Sequence, residues 1–93
     1  MNSLADQVQE NEVAGTKMAT ALTAAGFDFW QVTGMARAYA VTKSSHVKGP
    51  PGNYEGTMAN FFRNEAVHCL SNGQGYHARW NAFMCGVYSA LKA

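Results

Sequence analysis

The stretch YHARWNAFMCGVYSALK, residues 76–92, carries the clearest helical pattern in the chain. Its large apolar residues recur at intervals of three or four positions: Trp80, Phe83, Met84, Val87, Tyr88 and Leu91. This spacing puts them on one face of an amphipathic helix. We therefore predict a helix from about Tyr76 to Lys92 whose apolar face covers the core.

A second helix precedes this one across a short turn. Thr57 is a suitable N-cap, and a set of mostly apolar residues after it shares one helical face: Met58, Phe61, Phe62, Glu65, Ala66 and Cys69. The segment SNGQG, residues 71–75, ends the helix, since Asn and Gly accept the left-handed conformation that follows a helix. A loop this short joins antiparallel neighbours, so these two helices are predicted to form a helical hairpin.

The N-terminal part predicts another helix over residues 4–25. Ser3 is an N-cap candidate with Asp6 three residues later, and Gly26 suits the C-terminal stop. Gly15 lies in the interior, where glycine costs about 1 kcal/mol relative to alanine. A break near Gly15 is therefore the alternative to one continuous helix.

Residues 29–42 are predicted to form the remaining helix. Asp28 and Gln31 have capping-box spacing, and a stripe of Phe29, Val32, Ala36 and Tyr39 follows. Polar and apolar residues nearly alternate before Thr33-Gly34, however, and the region is rich in aromatic and β-branched residues. A small β-hairpin at residues 27–42 is the alternative.

Ninety-three residues provide for one domain, here residues 1–93. Apolar residues make up 47% of the chain, which excludes an intrinsically disordered protein. The predicted fold class is mainly α: a single domain of about four short helices with a central Gly/Pro loop over residues 43–56. An α+β fold is predicted instead if residues 27–42 form the hairpin.

Charge is scarce in this sequence. Asp, Glu, Lys and Arg make up 14% of the residues, where about 25% is usual, and the formal net charge is +1. A weakly charged surface promotes association, so a protein partner or further copies of the chain are predicted to cover part of it; a quiet monomeric surface is the alternative. No uninterrupted apolar run reaches membrane-spanning length, the early acidic residues do not resemble a secretory signal, and two cysteines are too few for a disulfide framework. We expect no membrane contact and a cytoplasmic location.

Four residues of zinc-binding type fall in the predicted hairpin: His68, Cys69, His77 and Cys85. If the turn centres near Gly73, Cys69 faces His77 across it, and Cys85 lies about 12 Å further along the helix at 1.5 Å per residue. This distance is too large for one ion to bind all four residues, and too large for a disulfide between Cys69 and Cys85. The three remaining residues lack a fourth ligand, and whether they bind a metal stays open here. We predict no metal and no other cofactor, with both cysteines buried as small apolar groups.

The sequence contains no pattern typical of an enzyme. Cys85 falls in an apolar stripe, and Cys69 points away from its neighbour His68 on a helix. Glu65 is either solvated at the edge of its stripe or, if buried, paired with Arg79. The prediction is therefore a non-enzymatic protein.

Basic and aromatic residues gather around the central loop. Residues 1–36 have a net charge of −3 and residues 37–93 a net charge of +4. The basic region 37–54 could contact a phosphate backbone, which predicts a nucleic-acid-binding accessory protein as the alternative function. Nucleic-acid-binding domains typically have a pI above about 9. The sequence pI of this chain is lower, at 7.8.

The favoured function is a small protein-binding module that self-associates or docks on a larger complex and modulates or inhibits it. Aromatic residues and methionines are numerous for four short helices, and Phe27 and Tyr76 also lie near predicted helix ends, where full burial is least expected. The predicted partner-binding residues are Trp30, Arg37, Tyr39, Lys43, Lys48 and Tyr54. The small size is also typical of inhibitors of host machinery that phages or mobile elements encode.

Overall fold

The computed structural model describes residues 3–93, which form four α-helices. These are α1 (Leu4–Ala24), α2 (Phe29–Lys43), α3 (Met58–Ser71) and α4 (Gly75–Ala90). Residues 3–93 contain no β-strand. The mainly α prediction is thus confirmed, and the alternative hairpin at residues 27–42 is wrong.

Capping side chains begin the first three helices. The Ser3 hydroxyl accepts a hydrogen bond from the Asp6 amide at 3.1 Å, and the Thr57 hydroxyl accepts one from the Asn60 amide at 3.1 Å. At the start of α2, Asp28 Oδ1 accepts from the Gln31 amide at 2.9 Å, and Gln31 Oε1 accepts from the Asp28 amide at 3.0 Å. This reciprocal capping box satisfies amides that would otherwise lack partners, and it decides between helix and hairpin in this segment.

Helix α4 is the centre of the fold. It packs against α1, α2 and α3, and every residue from Asn81 to Tyr88 is buried. The prediction of a single apolar face was therefore too narrow, because α4 is covered all round in this stretch. The predicted hairpin of α3 and α4 is confirmed, with Gly73 in the left-handed region at a φ of 71°.

Helices α1 and α4 cross in backbone contact at two glycines. A Cβ atom on Gly15 would collide with the Phe83 carbonyl oxygen, and a Cβ atom on Gly86 would collide with the Glu12 carbonyl oxygen. The Thr16 hydroxyl lies 3.2 Å from the Gly86 carbonyl oxygen and donates across the crossing. Helix α1 is continuous through Gly15, so the break considered from the sequence does not occur; the glycine provides close packing instead.

A row of aromatic rings runs through the core from the loop to α2. Adjacent ring centroids lie 5.0–6.2 Å apart along the row. Its members are, in order, Tyr54, Phe61, Phe62, Tyr88, Phe29 and Trp30. Only its α2 end, at Trp30, is largely exposed to solvent.

The segment between α2 and α3, residues 44–57, packs on the helices. Val47 is buried in the core, and the buried Ser44 ends α2 with its amide donating to the Ala40 carbonyl oxygen. Among the described residues, none of the helices combines the length and the hydropathy that a bilayer crossing requires.

Candidate functional site

Trp30 is the most exposed large apolar residue of the described chain. Its side chain lies in the first turn of α2 and is 79% exposed, although its ring contacts the Phe29 ring edge-on at 5.0 Å. Because the half-buried Phe29 packs against the core, the indole ring is held on one side and open to solvent on the other. Tryptophan in this situation is the residue type that most often anchors a protein interface.

The outer face of α2 continues from Trp30 with small and aliphatic residues, and the half-buried Arg37, four positions before Val41, borders them. Its members, spaced four, four and three positions apart and all exposed, are Trp30, Gly34, Ala38 and Val41. Such spacing places them along one side of the helix. Phe27, in the turn before α2, is 40% exposed, and no atom outside the helix lies within 4 Å of the Cβ position of Gly34. The outer face of α2 is thus an open, apolar strip with a large ring at one end.

Arg37 has a structural role. Its guanidinium lies against Gly49, where an added Cβ would meet Nη2 at 2.9 Å. It also faces Tyr88: burial raises the pKa of the Tyr88 phenol, and Arg37 and a hydrogen bond with Thr33 oppose part of that rise. The arginine therefore joins the central loop to the core.

Tyr39 and Lys43 lie at the edge of α2 that faces α4. The Tyr39 ring contacts the rings of Trp80 at 5.6 Å and Phe83 at 5.8 Å, and it remains 45% exposed. The Lys43 ammonium lies 5.4 Å from the centre of the same ring, within cation–π range. These two residues form a small basic and aromatic edge beside α4.

Lys48 and Tyr54 lie in the loop. Lys48 is exposed and lines a cleft of about 430 Å³ between the loop and α3. Tyr54 is half-buried, with its ring edge-on to Phe61 at 5.2 Å. The six predicted partner-binding residues thus fall into separate surroundings, and among the three aromatic ones Trp30 is the most exposed.

The three candidate metal ligands do not converge. The His68 Nε2 atom pairs with Asn72, the His77 Nδ1 atom pairs with Ser44, and the buried Cys69 sulfur lies 3.9 Å from the Asn81 amide nitrogen. Within residues 3–93 no group of three or more His, Cys, Asp or Glu side chains could hold a metal ion.

Both cysteines are free and buried. Burial, and secondarily the Glu65 charge, raises the pKa of the Cys69 thiol. Burial and the nearby Glu12 carboxylate raise that of Cys85, whose sulfur lies 3.8 Å from Glu12 Oε1. A thiol held in its protonated form is a poor nucleophile.

The pairing of Glu65 with Arg79 is absent. Arg79 Nε donates to Asn11 Oδ1 at 3.3 Å, and Glu65 is half-buried at the rim of the loop–α3 cleft. The interpretation of Glu65 as an edge residue of its stripe is the one that agrees with the structure.

Two histidines stack where the loop meets α4. The rings of His46 and His77 have centroids 3.7 Å apart, and the Ser44 hydroxyl lies 2.6 Å from His77 Nδ1. Burial, and next the neighbouring His46, lowers the pKa of His77. The pair forms a polar contact between loop and helix.

Sequence reasoning identified Trp30 but missed Gly34, Ala38 and Val41 beside it. Their spacing from Trp30 and the lack of charge among them were visible in the sequence. Basic and aromatic residues around the loop form the more conspicuous sequence pattern, whereas apart from Trp30 the strip consists of small and aliphatic residues.

Comparison of the chain with protein-family models, curated proteins and solved structures finds no match in any of the three.

Proposed function

We propose that this chain is a non-enzymatic protein-binding module that uses the outer face of α2 to dock on a protein partner, either a larger complex or further copies of itself. The observation that carries the proposal is the 79% exposure of Trp30 at the end of a strip of small and aliphatic residues. Leaving so large an apolar side chain in water forgoes about 2 kcal/mol of burial, which a partner would recover. Binding would modulate or inhibit the partner by covering part of its surface.

The burial of Cys69, Cys85 and Ser44 supports a role without catalysis. Burial keeps the thiols of Cys69 and Cys85 protonated, and the Ser44 hydroxyl is buried while it accepts the His46 amide. A serine in this setting cannot approach a substrate. The proposal also places the chain in the cytoplasm, because proteins with unpaired cysteines are common there.

Two valines provide a matched test of the surface. Val41 lies on the outer face of α2 and is 46% exposed, whereas Val67 lies on α3 and is 57% exposed. Val41→Lys and Val67→Lys therefore introduce the same charge at similarly exposed helical positions. We expect Val41→Lys to weaken binding by at least tenfold and Val67→Lys to leave it unchanged.

Binding is measured in two ways. Light scattering over a range of protein concentrations detects self-association, and affinity capture from host lysate, followed by titration of the captured protein, detects a partner. The Trp80→Phe variant leaves Trp30 as the sole tryptophan, so its emission should shift to the blue on binding. A monomer that captures nothing, or equal effects of the two valine variants, would contradict the proposal.

The alternative function, a nucleic-acid-binding accessory protein, is distinguished by salt. Lys43 and Lys48 are exposed and could contact phosphates. Binding through them would weaken steeply as the salt concentration rises, whereas docking on an apolar strip would respond weakly. Capture of nucleic acid that depends on these lysines and not on Trp30 would favour the alternative.

A further inference from the structure

The stacked histidines connect the first residues of the loop to the N-terminal turn of α4. Besides the 3.7 Å ring contact, the buried Asn81 side chain donates from Nδ2 to the His77 carbonyl oxygen at 3.1 Å and to the His46 carbonyl oxygen at 3.4 Å. His46 is otherwise exposed, with its Nε2 atom 3.4 Å from Gln74. The loop is thus attached here by one ring stack, a few hydrogen bonds and the buried Val47 side chain.

Neutral rings suit this arrangement. The Ser44 hydroxyl accepts the His46 amide at 3.1 Å and can donate its own proton to an unprotonated His77 Nδ1. Two imidazolium ions at this separation would repel each other, since like charges in contact disfavour the doubly charged state. The stack is therefore compatible with one proton at most.

The surrounding groups are mixed in charge. Those lining the cleft beside His46 are Lys48 from the loop and Glu65, His68 and Cys69 from α3, while the Tyr76 ring faces His77 at 5.7 Å and Lys43 directly precedes Ser44. Glu65 is the single carboxylate among these groups, and Lys48 opposes it. One carboxylate opposed by one lysine offers little stabilisation for two protonated rings.

We infer that the His46–His77 stack is a pH-sensitive latch: it holds residues 44–47 against α4 when the rings are neutral and releases them when both rings are protonated. Release would free His46 and withdraw Val47 from the core, where it is 4% exposed. The change would occur on acidification. The lowered pKa of His77 agrees with the direction of this coupling.

Amide hydrogen exchange tests the latch on the full chain. The amides of His46 and Val47 donate to the hydroxyl and the carbonyl oxygen of Ser44. After correction for intrinsic exchange rates, we expect both to exchange at least tenfold faster at pH 5 than at pH 7.5. Amides within α4 should keep their protection, which separates local release from global unfolding.

The His46→Phe variant keeps a stacked ring but cannot take up a proton. It should abolish the acceleration and raise the pKa of His77, measured from the NMR signals of the imidazole. His68→Gln is the matched control, because it removes a histidine outside the stack, and it should behave as the unmodified chain does. Unchanged exchange between the two pH values, or equal acceleration in His46→Phe, would overturn the latch.

Discussion

Helix α4 is contacted in two different ways by its neighbours α1 and α2. At the α1 crossing the backbones touch, because Gly15 and Gly86 leave no side chain between them. On the α2 side, whole aromatic rings separate the helices, as in the contact of Tyr39 with Trp80 and Phe83. The α1–α4 interface has no room for an added atom at these glycines. The α2–α4 interface involves only the inner side of α2.

This difference explains where a partner could bind. Small residues allow α1 to lie in the groove of α4, and the contact extends over much of its length. Helix α2 has its inner residues Val32, Ala36 and Ala40 fully buried, but the residues of its outer face are exposed. The side of the fold that is packed through rings is therefore the side with an exposed apolar strip.

The largest expected effect comes from adding one methyl group at the tight crossing. Gly86→Ala should lower the free energy of unfolding by about 3 kcal/mol, because its Cβ would meet the backbone of α1 and the helices would have to separate. Urea unfolding followed by circular dichroism measures the change.

Gly34→Ala is the control for this substitution. It introduces the same methyl group into open space in a helix interior, so it should stabilise the protein by about 0.5–1 kcal/mol. Equal effects of the two variants would refute the distinction between the tight crossing at Gly86 and the open position at Gly34.

A smaller loss is expected from removing the cap of α2. Asp28→Ala takes away the acceptor of the Gln31 amide and should cost about 1 kcal/mol, as N-cap deletions usually do. Thermal unfolding should show a lower midpoint with an otherwise cooperative transition. An unchanged thermal midpoint would mean that the ring contacts of α2 are enough to position this helix without its N-cap.

Acidification should weaken the loop side of the molecule. The pKa of His77 is lowered in the folded protein, so the unfolded chain takes up a proton first as the pH falls. The contribution of neutral His77 to the free energy of unfolding is complete above its ordinary pKa of 6.5. This contribution declines as the pH falls from 6.5 toward the lower pKa that His77 has in the folded protein. Urea unfolding at pH 7.5 and 5 should show this decline, and it should be absent in His77→Gln.

The smallest effect on stability is expected at the exposed end of the aromatic row. Trp30→Ala should change the free energy of unfolding by no more than about 0.5 kcal/mol, because the side chain buries little surface within the monomer. Its effect should be seen in binding instead. A loss of more than about 1 kcal/mol in unfolding experiments would show that Trp30 belongs to the core.

The helices could be predicted from local signals. The periodicity around Phe83 and Val87 identified α4, and the pairs Ser3–Asp6 and Asp28–Gln31 marked two helix starts that the hydrogen bonds confirm. These features depend on residues three or four positions apart, and a local sequence window contains all of them. The competing hairpin at residues 27–42 could also have been rejected by giving the capping box more weight.

The packing could not be predicted in the same way. Gly15 was interpreted as a weak point of α1, since an isolated glycine in a helix is unfavourable unless another helix comes close. The sequence also does not show that Arg37, one of the predicted partner-binding residues, lies against Gly49 and faces Tyr88. In both cases the contacts join residues that are distant in sequence.

The sequence by itself determined the class of the fold, the number of helices and nearly all of their ends, because capping and helical periodicity are short-range effects. Only the tertiary structure decided that α4 is buried on every side and that Trp30 remains outside while Tyr54 is half-buried in the same aromatic row. The physical reason is that burial depends on which surfaces meet. Two glycines bring α1 onto α4, and the remaining helices occupy the space that this crossing leaves.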